Sequence, residues 1–473
     1  MSGMKPMQWL ALAVGVVVTL YAVYTHLQYF GNVSFLGAIL LLEIIIACVW
    51  KYSQRFFLVL MISFLWAGMN VPLEGAWTAG RWVVLFAGAF AGFVAWMKSP
   101  RSQFKAIHLI AFFCVGAAFV SASVSSFTGL ATLKALSLLL LFVYCSTGAR
   151  LSVLGREDRF FSGLLLGCEI ATYGTAAAYF GLGIPIWGNP NSLGAAMSIG
   201  LFAPLLWGWM VADAPAMKTR RLIALLMCVY LIFFSMARAG IVAIVLVTLV
   251  VCFCLREYRL LTRIVGLAVF FVAAAGMLSP QTLTRVLSET KDSILYKGHK
   301  EEGFLGSRKT PWERTISSIK EHPWFGTGYG TAPNGEDPGF GAGKFSSSAE
   351  TVREHGSSYM TIAEWVGLLG LLPFLALLAW TAANVWHVCV WMRRTGNRYH
   401  YSIPLAMVLL AGFVHANFED WLFAVGAYPC VYFWAFAFLL ADIVPATAPA
   451  PVPAVFVRAE RRPAGFGVAV PNR

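Results

Sequence analysis

The stretch REHGSSYMTIAEWVGLLG, residues 353–370, shows how this chain is built, because a charged segment changes within it into an apolar run. Arg353, Glu354 and His355 come first, Gly-Ser-Ser-Tyr follows, and the chain then stays apolar well beyond Gly370. An apolar run of about 20 residues is what a helix needs to cross a bilayer. The stretch therefore predicts a membrane-spanning helix with a polar collar at its start.

Apolar runs of this kind recur along the whole chain. The 473 residues are 59% hydrophobic and only 12% charged, whereas soluble domains carry about 25% charged residues. We expect an all-α polytopic membrane protein with about 12–14 transmembrane helices in contact with membrane lipids. All nine cysteines lie in or beside apolar runs, which argues against a disulfide framework or a cysteine metal site.

Lysine and arginine are unevenly distributed over the short polar connections. Every second connection is basic, as at Lys98–Lys105 and Arg393–Arg398, whereas the alternate ones, such as HLQYFGNVS and SVSSFTG, are almost free of both residues. Excess positive charge marks the cytoplasmic side. The alternation places both termini in the cytoplasm, and it accounts for the net charge of +13 without a nucleic-acid partner.

The same alternation divides the chain into four parts. Residues 1–278 are predicted to form about 11 transmembrane helices and residues 358–442 about three more, whereas residues 443–473 form a Pro/Ala-rich, disordered cytoplasmic tail. Residues 279–357 form a long polar loop outside the cytoplasm. Its ERTISSIKEH stretch predicts a short amphipathic helix ended by Pro323, so the loop is expected to be partly helical.

Several polar residues share the non-cytoplasmic side in this topology. Asn189 and Asn191 open a span, Arg238 lies on a very short connection between two apolar runs, and Arg308 and Arg314 lie in the long loop. Because guanidinium groups bind phosphate oxygens bidentately, the two loop arginines are candidates for holding a diphosphate. Arg238, at membrane depth, is a candidate for lining a cavity or a substrate path. The simpler interpretations are a helix cap for the asparagines, a lipid-phosphate contact for Arg238 and a solvated face for the loop arginines.

The quoted stretch adds candidates for acid–base chemistry on the same side. Glu354 and His355 are candidates for a general base, and Ser357 and Tyr359 are candidates for hydrogen bonds to a substrate. The alternative for His355 is a capping or packing role. These residues are predicted to form one site only if they lie together in the fold.

Motifs for cofactors are absent from the sequence. It contains no HExxH pattern, no Asp-x-Asp pair and no glycine-rich phosphate loop, so neither a metal, nor another cofactor, nor ATP is expected. Glu419 and Asp420, in HANFEDW, are a weak outward acidic pair, for which a contact with a loop arginine is more plausible than a metal.

Taken together, these residues resemble the O-antigen ligase and O-antigen polymerase superfamily of bacterial inner-membrane glycosyltransferases. The resemblance is carried, in order, by N-P-N-x-L-G (189–194), S-x-x-R-x-G (235–240), S-R-x-x-x-W (307–312), H-P-W-F-G-T-G-Y-G (322–330), and H-G-S-S-Y followed by G-L-L-G (355–370). One departure concerns the histidine. Gly356 follows His355 where the ligases have Asn, Ser or Gln, and alignment on Tyr359 and Gly367 puts Gly356 at the histidine position.

The resemblance implies metal-independent, inverting transfer of a glycan from undecaprenyl diphosphate to a sugar hydroxyl of an acceptor glycolipid, at the periplasmic face of the inner membrane. The acceptor is lipid A-core in ligases and a second lipid-linked repeat unit in the polymerases of O-antigen or exopolysaccharide, and the choice stays open. It also implies that Arg238 and Arg308 contact the donor diphosphate and that a histidine near position 355 lies close to the acceptor. A transporter or flippase for lipid-linked saccharides is the alternative.

Overall fold

The computed structural model describes residues 56–70, 74–98, 104–187, 189–263, 266, 306–331 and 355–445. All regular secondary structure within these ranges is helical. Among the described residues, six helices are long and apolar enough to cross a membrane, and three shorter apolar helices accompany them. The prediction of an all-α polytopic membrane protein is confirmed.

Parts of the predicted organisation lie outside the described residues. These parts are residues 1–55, most of the predicted loop 279–357, and the predicted tail beyond residue 445. The four-part division of the chain, the count of 12–14 transmembrane helices and the cytoplasmic termini therefore stay predictions.

Twelve helices are labelled in chain order within the described ranges. They are α1 (Phe56–Ala67), α2 (Glu74–Met97), α3 (Ala106–Ser123), α4 (Thr128–Val153), α5 (Glu157–Ala176), α6 (Pro190–Met210), α7 (Pro215–Phe234), α8 (Arg238–Leu255), α9 (Gly306–Glu321), α10 (Ser358–Thr395), α11 (Ser402–His415) and α12 (Tyr428–Ile443).

Helix α12 lies in the core of the bundle. It is apolar on all sides, and a helix of that kind is stable where other helices surround it. Four of its large side chains are at most 1% exposed: Phe433, Trp434, Phe436 and Phe438. Helix α3, by contrast, exposes Leu109, Phe112 and Phe113, as expected of a face that meets lipid.

The contacts of α12 define two ends of the bundle. At its start, the Tyr428 hydroxyl donates to the Ser192 carbonyl of α6 at 2.8 Å. At its other end, Asp442 Oδ1 lies 2.9 Å from Arg150 Nη2 of α4 and 2.9 Å from Lys105 Nζ, just before α3. Two cationic side chains neutralise the buried Asp442 carboxylate, and these ion pairs connect α3, α4 and α12. Lys105 and Arg150 belong to the connections that the charge alternation assigns to the cytoplasm.

Helix α10 is broken close to its start. Gly367 has φ 66° and ψ −178°, outside the helical region. A Cβ atom at Gly367 would lie 2.4 Å from the backbone of Trp324. Only glycine allows both this backbone conformation and this approach. The break divides α10 into a short first piece, which carries the residues after His355, and a long apolar span.

The HPWFGTGYG segment, residues 322–330, packs against the break. Thr327 N donates to the Glu364 carbonyl at 2.9 Å, and Leu368 N donates to the Pro323 carbonyl at 2.8 Å. The Tyr329 hydroxyl, buried below, donates to the Phe423 carbonyl at 2.8 Å. The first two bonds satisfy backbone groups of α10 that the break leaves unpaired. They also hold the segment after α9 against the start of α10.

Candidate functional site

Glu419, between α11 and α12, joins two distant segments at the end of the bundle opposite to Asp442. Its Oε1 accepts hydrogen bonds from Arg308 Nη2 at 2.6 Å and from Asn191 Nδ2 at 3.2 Å. Arg308 lies in the first turn of α9 and Asn191 in the first turn of α6. The side chains of Arg308 and Glu419 are 12% and 20% exposed. The ion pair is thus shielded from most water, which strengthens it, and still has an open side.

Arg238, the first residue of α8, approaches the same place. It is half-buried, and its charge acts directly on that of Arg308. Two glycines allow this approach: a Cβ atom on Gly194 would lie 2.2 Å from Ala237 Cβ, and one on Gly240 would lie 3.2 Å from the Gly194 carbonyl oxygen. Helices α6 and α8 therefore meet at small residues near their starts, and both present polar side chains there.

Gly356 packs against the Arg308 side chain. Its φ is 72°, and a Cβ atom there would lie 3.1 Å from Arg308 Cδ and 3.2 Å from Trp312 Nε1. The Trp312 indole also donates to the Gly356 carbonyl at 3.2 Å. Glycine at the position that the family alignment gives to histidine is therefore explained locally, because the arginine and the indole occupy the space of a side chain.

We expect Gly356→Ala to lower the glycan-transfer rate about tenfold, by moving the Arg308 side chain, and to lower stability by about 1–2 kcal/mol through its left-handed backbone. Gly396→Ala is the matched control: Gly396 ends α10 with φ 63°, and a Cβ atom there meets nothing within 4 Å. Both variants should lose similar stability in thermal unfolding, and only Gly356→Ala should lose transfer. Equal transfer by the two variants would contradict the support role.

His355 lies between two carboxylates and is 1% exposed. Its Nδ1 lies 3.1 Å from Asp420 Oδ2, its Nε2 lies 3.5 Å from Glu364 Oε2, and its backbone N–H donates to Asp420 Oδ2 at 3.1 Å. The Trp365 ring packs edge-on at 5.9 Å between centroids. Both ring nitrogens thus face acidic oxygens, an arrangement that favours the imidazolium form.

The charges of this group follow from its contacts. Burial lowers the pKa of His355, but the Asp420 and Glu364 carboxylates raise it by more, so it lies above the usual value. Burial likewise raises the pKa of Asp420, and the bonds from His355 outweigh it, so this pKa lies below the usual value. A histidine that is enclosed, and whose two ring nitrogens both face carboxylates, is poorly suited to take a proton from a substrate hydroxyl. It is well suited to hold Asp420.

We expect His355→Gln to destabilise the protein by about 3 kcal/mol at mildly acidic pH, because it breaks a buried ion pair. A raised histidine pKa adds stability that is complete below the unfolded value of about 6.5 and is lost as pH rises through the folded value. The gap in melting temperature between wild type and variant should therefore be large at pH 6 and smaller at pH 9. A gap that grows with pH would contradict the charged pair.

Ser357 and Tyr359 hold α10 in place. Ser357 is the cap residue of the helix and its carbonyl accepts from Thr361 N at 3.0 Å, while the Tyr359 hydroxyl donates to the Phe413 carbonyl of α11 at 2.9 Å. Between them, Ser358 donates through N and Oγ to the Glu419 carbonyl at 3.0 and 2.6 Å. The polar collar therefore fastens α10 to the segment that carries Glu419.

The remaining predicted residues lie at the margin of this group or beyond it. Asn189 is exposed and caps α6, with its Oδ1 accepting from Ser192 N at 2.8 Å. Arg314 is exposed on α9. Six positions after Arg308, it is turned by about 240° around the helix. Glu354 lies outside the described residues.

The structure adds acidic residues to the site. From the sequence, Glu419 and Asp420 are only a weak outward pair, and Glu364 is an addition of the structure. The signal for the first two is their place on a short connection of the arginine-poor side. Within the described ranges, no three His, Cys, Asp or Glu side chains are grouped so that they could hold a metal ion.

Comparison with known families adds an independent finding. Residues 223–375 match the family model described as O-antigen ligase. This matched domain supports the resemblance to the O-antigen ligase and polymerase superfamily. The matched region contains Arg238, Arg308 and His355 as well as the break in α10. No curated protein matches the chain.

The matched O-antigen ligase domain and the apolar helices agree on a coarse function. The chain is a multi-pass membrane protein with a glycosyltransferase-like activity, and the family acts in general on a lipid-linked glycan and a lipid acceptor. The resemblance that the sequence motifs predicted is confirmed at this level.

Proposed function

We propose that this O-antigen ligase homologue transfers a glycan from undecaprenyl diphosphate to a sugar hydroxyl of an acceptor glycolipid, without a metal, at the periplasmic face of the bacterial inner membrane. One observation carries the proposal: Arg308 and Asn191 meet at the Glu419 carboxylate from separate helices, and Arg238 lies near enough for its charge to act on that of Arg308. Two neighbouring guanidinium groups suit a diphosphate. The carboxylate of Asp420, the next residue after Glu419, offers a proton acceptor.

The proposed side of the membrane rests on the two ends of the bundle. The site lies at the ends of helices that the sequence pattern connects through arginine-poor segments, whereas Lys105 and Arg150 lie at the other end with Asp442. Because basic connections face the cytoplasm, the site would face the periplasm. The polyprenyl tail would remain in lipid while its diphosphate reaches the arginines.

The proposed chemistry is a displacement at the anomeric carbon. The acceptor hydroxyl oxygen attacks from the face opposite to the diphosphate, and the carbon–oxygen bond to the diphosphate breaks with its electron pair on the leaving group. Arg238 and Arg308 stabilise the growing negative charge in a shielded place, where fixed positive groups are most effective. The anomeric configuration is inverted.

We assign the proton acceptor to Asp420 in place of His355 on the ground of access, although the lowered pKa of Asp420 makes it a weak base. The Asp420 side chain is 28% exposed, whereas that of His355 is 2% exposed. The acceptor's hydroxyl proton would move to the Asp420 carboxylate, which His355 holds through Oδ2. General-base assistance contributes about 10²–10⁴-fold to such reactions.

The experiment that tests the function is the lipid-linked glycan profile of a strain that lacks this protein, measured with its surface polysaccharide. Accumulated single repeat units on the carrier, with chain length lost, would indicate a polymerase. Accumulated full-length chains on the carrier, with uncapped lipid A-core, would indicate a ligase. Accumulation of neither species outside the cytoplasmic face would overturn the proposal and favour a transporter of lipid-linked saccharides.

A further inference from the structure

The candidate site contains an anionic side chain, Glu419, bound to one of its own arginines. Arg308 and Arg238 repel each other, and the Glu419 carboxylate lies 2.6 Å from the Arg308 guanidinium. Asn191 Nδ2, at 3.2 Å, steadies the same carboxylate oxygen from α6. The oxygen that neutralises Arg308 thus occupies the kind of position that a phosphate oxygen would take.

We propose that Glu419 is an internal competitor for the diphosphate, which holds Arg308 in place between turnovers and helps to expel the lipid diphosphate product. This inference rests on the proposed function. Donor binding exchanges the carboxylate of Glu419 for a phosphate oxygen on Arg308, and product release reverses the exchange. Glu419 is a positioning residue in this role, because it acts through Arg308.

The need for such a competitor follows from the change in charge during transfer. The donor diphosphate is esterified at both ends, whereas the product has lost one ester and gains an ionisable oxygen. The product is therefore held more strongly by two arginines than the donor is. A carboxylate that returns to Arg308 offsets this difference and keeps product release from limiting turnover.

The segment that carries Glu419 is attached to α10 through its backbone. The Glu419 backbone carbonyl accepts from Ser358 N at 3.0 Å and from Ser358 Oγ at 2.6 Å, and these bonds attach the segment to α10. Glu419→Gln keeps the shape of the side chain and the backbone bonds, and it removes only the charge. This substitution isolates the proposed role.

The test compares wild type, Glu419→Gln, Glu419→Asp and the control Glu313→Gln in lipid nanodiscs. Glu313 is exposed on α9 and carries the same charge. Binding of farnesyl diphosphate, a short lipid diphosphate, is measured by calorimetry. Transfer from a synthetic polyprenyl-diphosphate glycan is measured in a single turnover and at steady state, and thermal unfolding checks each fold.

The expected result is about tenfold tighter binding of farnesyl diphosphate by Glu419→Gln, with a steady-state rate that falls by a larger factor than the single-turnover rate. Glu419→Asp and Glu313→Gln should stay near wild type in binding. Equal or weaker binding by Glu419→Gln, or a single-turnover rate that falls as much as the steady-state rate, would overturn the competitor role. An unfolded Glu419→Gln would overturn the claim that only the side-chain charge matters. Absence of both binding and transfer in wild type would instead refute the proposed function.

Discussion

Arg308→Ala is expected to lower the rate of glycan transfer by about 10²–10³-fold, the usual effect of removing one fixed group that stabilises a developing oxyanion. Arg308 is 12% exposed, is bonded to Glu419 and is supported by Gly356. Its guanidinium is therefore fixed before a substrate arrives. The loss should appear mainly in the maximal rate, because the interaction strengthens as the leaving group gains charge.

Arg314→Ala provides the control on the same helix. Its side chain is exposed and turned away from the site, so this variant should keep transfer within about twofold of wild type. The rates are measured with purified protein at equal amounts in nanodiscs. Arg308→Lys tests whether bidentate binding matters, because lysine keeps the positive charge but lacks the planar guanidinium group. If Arg308→Ala and Arg314→Ala lose activity equally, the assignment of Arg308 is wrong.

Gly367→Ala is expected to prevent normal folding of the site, with a loss of stability of about 3 kcal/mol or more. The added methyl would lie 2.4 Å from the backbone of Trp324, and the φ of 66° already disfavours alanine. The backbone of residues 322–328 cannot move away without breaking the bonds to Glu364 and Leu368.

The measurement for Gly367→Ala is the monodisperse fraction after detergent extraction, followed by thermal unfolding. Gly167→Ala is the control, because Gly167 lies within α5 and a Cβ atom there meets nothing within 4 Å. Alanine should be neutral or slightly stabilising at that helical position. A folded, active Gly367→Ala protein would show that the break in α10 is not required.

The sequence was sufficient for the architecture and for part of the site. Long apolar runs fix helices because a chain in lipid must pair its backbone internally. The alternation of basic connections put Asn191, Arg238 and Arg308 on one side. The structure brings the three residues together at one end of the bundle.

The sequence suggested a loop arginine as a partner of Glu419 or Asp420, but the exact pairs depend on how helices pack. Glu419 reaches Arg308 across 111 positions of the chain, and Asp420 reaches His355 across 65. Residues 355–370 form a polar collar and the start of α10, and they also contribute His355 and Gly356 to the site. The offset of the histidine reflects the fit of Gly356 beneath Arg308.

The break in α10 was also hidden in the sequence. Residues 358–395 form one apolar stretch, and a glycine within such a stretch is compatible with a continuous helix. The positive φ of Gly367 becomes necessary only because the HPWFGTGYG segment packs against it. A segment read as part of a polar loop thus shapes the membrane helix.

The most direct test of the central claim is a transfer assay with purified wild-type protein in nanodiscs, a synthetic polyprenyl-diphosphate glycan and an acceptor glycolipid, without metal or ATP. We expect one released polyprenyl diphosphate for each glycan transferred, and no transfer by a folded Arg238→Ala, Arg308→Ala double variant. Transfer near the wild-type rate by that double variant would contradict that claim.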